Sequence, residues 1–323
     1  MSITDKELEQ FEEIYRVPEP VRKYTQRLFT EEEIQFAVKA KPVFGTDEVP
    51  EDFLKKEYQR GFLNLVDETR TKYRLSDYSG FMDVYVVREF DDWRRRFTDE
   101  ERKEIDWQYF HASFDKKAAV PGEAPSEDEV WPLDEVLDFI DHHEGQIYLN
   151  NCDCRSFAGD CGMPRHTCIT WRGGINTYAD RGMAQKLTKE EAKEKVKEFD
   201  KAGLMHTLQV GGDVICNCCG DCCYLSRGRE ILGSGGSWPL AHYIVSIDSD
   251  KCVGCGLCAK RCWRKVFTIE KDGTVRKAVP DTSKCVGCGL CVNSCPKQAL
   301  NLEPHKFPKW PVQKNVAPPS GDH

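Results

Sequence analysis

Residues 252–262 have the sequence Cys-Val-Gly-Cys-Gly-Leu-Cys-Ala-Lys-Arg-Cys, and residues 285–296 repeat the pattern as Cys-Val-Gly-Cys-Gly-Leu-Cys-Val-Asn-Ser-Cys-Pro. Each run separates its four cysteines by two, two and three residues. The glycines allow the backbone to curl around a metal centre and to direct N–H groups at its sulfur ligands. Zinc is the alternative for any single Cys-x2-Cys pair, but zinc does not explain eight cysteines in this repeat. The two runs therefore predict two iron–sulfur centres.

The two runs resemble the two-cluster bacterial ferredoxin family over residues 247–302. The resemblance implies two [4Fe–4S] clusters, each bound by three thiolates of one run and by the last thiolate of the other. The implied ligands are Cys252, Cys255, Cys258 and Cys295 for the first cluster, and Cys285, Cys288, Cys291 and Cys262 for the second. One residue departs from the family, because Trp263 follows Cys262 where proline is usual. This change is expected to alter the packing near the second cluster and to leave the ligand set intact.

Short strand patterns flank the two runs. Residues 266–270 alternate in polarity and predict a strand, and residues 271–273 predict a turn. Residues 299–302 repeat the strand position after the second run. These patterns fit the duplicated ferredoxin fold with its small antiparallel sheets.

Most of the chain lies outside the ferredoxin-like segment. Its 323 residues allow two or three domains, and a formal net charge of −8 argues against nucleic-acid binding driven by bulk electrostatics. No apolar run reaches the length of a membrane helix, and the N-terminus has neither a secretion nor a twin-arginine pattern. The cytoplasm is therefore the predicted compartment. In a reducing compartment, the 17 cysteines are expected to be ligands or redox groups and not disulfides.

The first 151 residues contain no cysteine and carry helix and hairpin patterns. The predicted helices cover residues 4–15, 51–59 and 98–110 and a further segment that begins at Thr30, and the predicted hairpin pairs residues 62–66 with 72–75. This order of elements resembles a winged helix-turn-helix. Such a unit binds DNA or docks proteins. Arg94, Arg95 and Arg96 form its only concentrated basic run, and acidic residues flank them, so DNA is disfavoured as a partner and packing or docking is favoured.

The predicted fold class is α+β, with three domains in series. They are a winged-helix-like helical domain over residues 1–115, a cysteine-rich α/β module over 129–240, and a dicluster ferredoxin domain over 241–303. Residues 116–128 have the composition of a linker. Residues 304–323 contain proline and lysine without periodicity and predict an extended tail.

Nine cysteines of the middle module form two groups. The first group is Cys152, Cys154, Cys161 and Cys168, and the second is Cys216, Cys218, Cys219, Cys222 and Cys223. The first group offers four thiolates, which is enough for one [4Fe–4S] cluster, and zinc is the alternative. The second group is too dense for all five thiols to bind one cluster. Three or four of them would suffice, and the others would pack inside or reach the first group. A predicted helix that begins at Thr188 and ends at Gly203 separates the two groups.

The middle module resembles a cysteine-rich segment that precedes dicluster ferredoxin domains in anaerobic bacteria and archaea. The resemblance covers residues 133–302 and implies one or two further clusters and an electron-transfer role, without a known reaction. Three nearby residues have two interpretations each. Arg155 either donates to a cluster or lies on the surface, and His166 and His206 are either metal ligands or ordinary packing histidines.

Three functions follow from these patterns. The first is an iron–sulfur component that relays electrons between a soluble donor and a partner oxidoreductase. The second is a reductase of a disulfide or another small substrate at the middle cysteines, because nine thiols exceed the eight that two clusters need. The third is a redox-sensing winged-helix regulator. No nucleotide-binding glycine motif follows a strand, so neither a flavin nor a nicotinamide site is predicted, and a redox partner protein is required. The sequence favours the first function over a stand-alone enzyme and identifies no catalytic residue.

Overall fold

A computed structural model of the chain describes residues 3–114, 128–159, 161–209, 211–224, 226–227 and 240–305. The α-helices in these ranges, numbered in chain order, are α1 Asp5–Ile14, α2 Thr25–Leu28, α3 Glu31–Lys39, α4 Glu51–Arg60, α5 Tyr78–Arg88, α6 Phe90–Arg96, α7 Asp99–Phe114, α8 Leu133–His142, α9 Asp153–Ala158, α10 Lys189–Ala202, α11 Leu257–Arg261 and α12 Leu290–Asn293.

 Two 3-10 helices cover Glu19–Tyr24 and Thr282–Lys284.

The strands of the same ranges belong to four sheets. They are β1 Phe44–Gly45, β2 Leu63–Leu65, β3 Lys72–Leu75, β4 Glu129–Trp131, β5 Ile147–Asn151, β6 His166–Thr170, β7 Gln185–Leu187, β8 Met205–Leu208, β9 Val214–Cys218, β10 Leu240–Ala241, β11 Tyr243–Ile247, β12 Phe267–Asp272, β13 Val275–Pro280 and β14 Leu300–Pro304. Residues 116–127 of the predicted linker and 306–323 of the predicted tail lie outside the described residues. In the part of the chain that the structure describes, no helix is long and apolar enough to span a membrane.

The chain divides into two compact units. The first contains the described residues up to Ser113 together with Asn151–Gly159 and Gly173–Gln185, and the second contains the others. Two segments of the predicted module 129–240 thus belong to the first unit, because they pack on its helices and hairpin. The ring of Phe157 stacks on that of Tyr109 with centroids 4.3 Å apart, and Asn176 exchanges two hydrogen bonds with the backbone of Leu65. The domain ranges given by the sequence remain a prediction.

The first unit combines helices with a small antiparallel sheet in the order β1-β3-β2. The predicted hairpin is confirmed, since Leu63 pairs with Leu75 and Leu65 with Tyr73. The predicted capping box at Thr30 is also present, and it starts α3. The rings of Phe11, Tyr15, Phe29, Phe62 and Phe81 contact one another in the core of this unit. These are the components that a winged helix requires, and the winged-helix arrangement itself remains a prediction.

A buried charge network supports this core. Arg60 is buried and donates to the carboxylate of Glu33, to the carbonyl oxygen of Leu28 at 2.7 Å, and lies 3.3 Å from a carboxylate oxygen of Glu89. Glu57 is fully buried on the same helix, α4. Burial and the neighbouring carboxylate of Glu33 raise the pKa of Glu57 to about 7. Arg60 therefore neutralises carboxylates that would otherwise be buried without a countercharge.

We expect the replacement Glu57→Gln to stabilise the first unit at alkaline pH. The folded pKa lies above the ordinary value of 4.5, so the stability from this group is complete below pH 4.5 and is lost as the pH rises through about 7. Glutamine keeps the shape of the protonated carboxyl and cannot ionise. The free energy of unfolding should therefore increase by about 1–3 kcal/mol at pH 8 and change little at pH 5.

Denaturant unfolding of both proteins at the two pH values measures this difference. The matched control is Glu51→Gln, which alters an exposed carboxylate on the same helix that pairs with Lys55. An equal effect of Glu57→Gln at pH 5 and pH 8 would contradict the shifted ionisation.

The second unit is built on a seven-stranded sheet in the order β10-β4-β8-β9-β6-β5-β7. Strand β9 lies between β8 and β6 and is antiparallel to both. Helix α8 and strand β5 lead the chain to Cys152. The capping box at Thr188 and the left-handed Gly203 bound α10, as predicted. The central position of β9 matters for the metal ligands because it carries Cys216 and Cys218.

The C-terminal part of this unit contains two antiparallel strand pairs. Strand β11 pairs with β14, and β12 pairs with β13. The strands predicted over residues 266–270 and 299–302 are present as β12 and β14. The turn lies slightly later than predicted, since β12 continues to Asp272, which pairs with Val275. Each cysteine run therefore sits between strands and ends in a short helix, α11 or α12.

Candidate metal centres

The first cysteine run borders a cavity. Four thiols line this cavity, from Cys252, Cys255, Cys258 and Cys295. The backbone N–H of Gly254 donates to Cys252 Sγ at 3.4 Å, and that of Ala299 donates to Cys295 Sγ at 3.3 Å. Backbone donors of this kind stabilise the charge on cluster ligands. The four cysteines that the resemblance implies for one cluster thus meet at one cavity.

The second run borders a similar cavity. Its wall contains Cys262, Cys285, Cys288 and Cys291. The backbone N–H of Gly287 donates to Cys285 Sγ at 3.4 Å, which repeats the bond between Gly254 and Cys252. The last cysteine of each run, Cys262 or Cys295, therefore lines the cavity of the other run.

Glycine is required at the equivalent position of both runs because the loops approach neighbouring strands closely. Gly254 and Gly287 have φ angles of 61° and 69°. A Cβ atom at Gly254 would lie 2.5 Å from the backbone of Arg276 on β13. At Gly287 it would lie 2.2 Å from the carbonyl oxygen of Tyr243 on β11. The repeated glycine thus follows from the tight packing of each run on a strand.

The two cavities differ in their exposure to solvent. Cys255 of the first cavity is exposed, whereas Cys291 of the second is buried. Burial raises the pKa of the Cys288 thiol to about 12 and also raises the pKa values of Cys258 and Cys262. Iron binds the thiolate form, so assembly of a centre in either cavity releases protons. The donor sets fit [4Fe–4S] clusters, which take four thiolates each.

In the middle region, strand register brings thiols together. Ile169 on β6 pairs with Ile215 on β9, so the preceding Cys168 lies beside Cys216, and their sulfur atoms are 3.9 Å apart. Cys216 and Cys218 are two residues apart on one strand and therefore share a face. Cys218 and Cys223 are buried in one apolar cluster, and Cys216 packs against that cluster. We call Cys168, Cys216, Cys218 and Cys223 the sheet thiols.

A second set of thiols lies on the loop after β9. The sulfur atoms of Cys161, Cys219 and Cys222 all lie within 4.8 Å of one another. The Cys222 N–H donates to Cys219 Sγ at 3.2 Å. Cys219 and Cys222 are buried. We call these three residues the loop thiols.

The remaining two cysteines of the middle region belong to the first unit. The sulfur atoms of Cys152 and Cys154 and a carboxylate oxygen of Asp153 lie within 4.8 Å of one another. Cys161 and Cys168 belong to the second unit, where they join different thiol sets. The single centre predicted on Cys152, Cys154, Cys161 and Cys168 remains a prediction.

The candidate polar partners of a metal centre are Arg155, His166 and His206. Arg155 is only 2% exposed, so its interpretation as a surface arginine is wrong. His206 is fully buried, with Nδ1 2.6 Å from Asn217 Oδ1 and Nε2 3.8 Å from an oxygen of Asp200. His166 is exposed, and its Nε2 lies 3.1 Å from the carbonyl oxygen of Leu149. These contacts are those of ordinary structural histidines.

The structure adds a contact that the sequence did not predict. The Trp263 ring lines the second cavity and also lies against Gly220, where a Cβ atom would approach Trp263 Cε3 to 2.3 Å. One apolar cluster includes Cys218 and Cys223, with Trp263 and Cys288 packed against it. The expected change in packing at Trp263 is thus a direct contact between the residue that follows the first run and the cysteine-rich segment Cys216–Cys223. The replacement of proline by tryptophan was the only sign of it in the sequence.

Comparison with known proteins agrees with this geometry at the C-terminus. Residues 245–302 match the family model of a 4Fe-4S dicluster domain. This segment is a dicluster ferredoxin domain. No curated protein matches the chain.

Proposed function

We propose that the protein relays electrons through iron–sulfur centres between a soluble donor and a partner oxidoreductase. The observation that carries the proposal is the pair of cavities in the dicluster domain, each lined by four cysteines. The cysteines of each cavity would hold one [4Fe–4S] cluster, which supplies one-electron transfer when bound. In this proposal, the protein positions the clusters and determines which of them is exposed to solvent.

The surroundings of the two cavities support a direction for the relay. Cys255 is exposed at the first cavity, and the neighbouring Val253 and Leu257 are 55% and 45% exposed. This apolar rim suits transient docking of a redox partner. The second cavity instead contacts the loop of the middle cysteines through Trp263. Electrons would therefore exchange with the donor at the first cavity and continue through the second cavity to the middle region.

The proposed cellular compartment and the proposed class of partner protein both follow from the chemistry of thiolate-bound iron–sulfur clusters. Thiolate ligands in such number require reducing conditions, and we propose the cytoplasm on that basis. One-electron centres without a flavin motif need an oxidoreductase partner to complete a two-electron reaction. An anaerobic metabolism would suit exposed cluster ligands such as Cys255.

The reductase hypothesis has one specific observation in its favour. The sulfur atoms of Cys219 and Cys222 lie within 4.8 Å of each other, and their oxidation to a disulfide would pass two electrons to the substrate and release two protons. The regulator hypothesis has less support. In the first unit Arg94 donates to the carbonyl oxygen of Gly159, and Arg95 and Arg96 both pair with Asp92. The basic run is thus occupied by contacts within the chain and is poorly placed to bind DNA.

Metal analysis of the anaerobically purified protein tests the proposal. We expect at least about eight irons and eight sulfides per chain, and about 12–16 irons if the middle cysteines also hold clusters. The ferredoxin centres should be reduced reversibly by one electron each in a redox titration followed by electron paramagnetic resonance. Zinc in place of iron at the ferredoxin cysteines, or clusters that cannot be reduced and reoxidised, would contradict electron transfer.

A further inference from the structure

The loop Cys218–Cys223 divides its cysteines between two neighbourhoods. Cys218 and Cys223 share an apolar cluster with Cys216 packed against it, whereas the sulfur atoms of Cys219 and Cys222 lie within 4.8 Å of each other and of Cys161. We propose that this loop supplies ligands to two separate thiophilic metal centres, one bound by the sheet thiols and one by the loop thiols. The inference rests on the proposed function only in requiring that the middle cysteines bind metal.

The sheet thiols offer a complete set of four sulfur ligands. Four thiolates are the number that a cubane cluster takes. The side-chain amide of Gln209 donates to Cys216 Sγ at 3.3 Å, and the hydroxyl of Thr207 lies 3.5 Å from Cys218 Sγ. Donors to ligand sulfurs are characteristic of thiolate metal sites. Arg172 is also near enough to interact electrostatically with Cys168 and Cys216, and its charge would offset that of the thiolates.

The loop thiols form a more compact set. A tetrahedral ion with metal–sulfur bonds of about 2.3 Å places its sulfur ligands about 3.8 Å apart. All three loop thiols lie within 4.8 Å of one another, and two of them are buried. Local chain geometry does not explain why these thiols meet, because Cys161 is 58 residues or more from the others in sequence. They therefore fit a second centre, an ion or a cluster, with at least three thiolate ligands.

The position of the sheet thiols gives their centre a role in the relay. Cys218 and Cys223 share an apolar cluster with Val286 and Leu290, which flank the second ferredoxin cavity. Trp263 packs against the same cluster and touches Gly220 in the middle of the loop. A centre on the sheet thiols would therefore be the neighbour of the second ferredoxin cluster within the second unit.

Two matched double variants of the full-length protein test the inference. They are Cys218→Ser with Cys223→Ser, which removes two sheet thiols, and Cys219→Ser with Cys222→Ser, which removes two loop thiols. Iron, zinc and sulfide are measured on anaerobically purified protein, with Mössbauer and electron paramagnetic resonance spectra. The elemental ratios distinguish a cluster from a single ion at each centre.

Each double variant should lose only part of the metal bound outside the ferredoxin domain, and the two losses should together account for all of it. Both should keep about eight ferredoxin irons, which also reports that the second unit is folded. Only the sheet-thiol variant should change the paramagnetic signal of the neighbouring ferredoxin cluster. If a double variant does not fold, the single variants Cys223→Ser and Cys222→Ser, at adjacent positions, make the same comparison.

Two results would overturn the inference. One is loss of the same complete set of middle metal in both variants, which would show a single shared centre. The other is an unmodified protein with eight ferredoxin irons and no further metal. Absence of the ferredoxin irons from the unmodified protein would instead refute the proposed function.

Discussion

The replacement Cys295→Ala is expected to remove the cluster of the first cavity, although Cys295 belongs to the second run. Its sulfur lines the first cavity with Cys252, Cys255 and Cys258 and accepts a hydrogen bond from the Ala299 N–H. Loss of one of four thiolates should abolish a whole cluster, because the remaining three leave one iron without a protein ligand. Iron should fall by about four per chain.

A pair of double variants identifies which cluster is lost. Cys295→Ala combined with Cys255→Ala should remove no more iron than Cys295→Ala alone, since both residues line the first cavity. Cys295→Ala combined with Cys288→Ala should remove about eight irons, because Cys288 lines the second cavity. The reverse pattern would mean that each run binds its own cluster and that the exchange of the last cysteines does not occur.

The largest effect on stability is expected at Arg60. Its guanidinium group is buried between the carboxylates of Glu33 and Glu89 and also stacks 5.1 Å from the ring centroid of Phe81. In Arg60→Met, the buried carboxylate of Glu33 would lose its countercharge, and the partly exposed Glu89 would lose its partner. Breaking a buried pair in this way costs about 3–5 kcal/mol, so the first unit should be strongly destabilised.

Hydrogen exchange measures this effect within the first unit, because it reports the stability of α4 and α5 separately from the second unit. The control is Arg70→Met, which removes a half-exposed arginine that pairs with Asp180 and should cost about 1 kcal/mol or less. Adding Glu33→Gln to Arg60→Met should restore part of the protection by removing one unpaired charge. Similar small losses in Arg60→Met and Arg70→Met would show that the network does not stabilise the unit.

Features that depend on local chemistry could be predicted from the sequence. The helix starts at Thr30 and Thr188 follow from capping boxes, which need only four consecutive residues. The hairpin between β2 and β3 follows from two short apolar runs around a polar turn. The cysteine runs of the dicluster domain are equally local, because their spacing is determined by one tight loop each.

Elements that depend on burial could not be predicted in this way. Helix α5 was missed because Phe81, Met82, Tyr85 and Val86 are all buried around its circumference, so no polar face marks its period. Strand β8 was missed for a similar reason, since each of its four residues is buried and none alternates. Apolar periodicity identifies only elements that have one face in water.

The grouping of the middle cysteines depends on strand order, which the sequence does not state. Cys168 and Cys216 are 48 residues apart and meet only because β6 and β9 are neighbours in the sheet. Cys161 reaches the loop thiols independently of that pairing. The density of cysteines indicated metal binding, whereas the partners of each thiol required the register of the sheet.

The apolar cluster around Trp263 has a consequence for how the second unit unfolds. It joins Val130 and Met205 of the large sheet to Val286 and Leu290 of the ferredoxin domain. Neither partner can leave without exposing the other's apolar side chains to water, so the sheet and the ferredoxin domain should melt in one cooperative step. A ferredoxin domain cut from the chain before residue 241 would expose to water the apolar side chains that it contributes to this cluster. Through the same contact, oxidative loss of the cluster from the second cavity would also destabilise the large sheet. The sheet and the ferredoxin domain are therefore expected to lose their folded structure together.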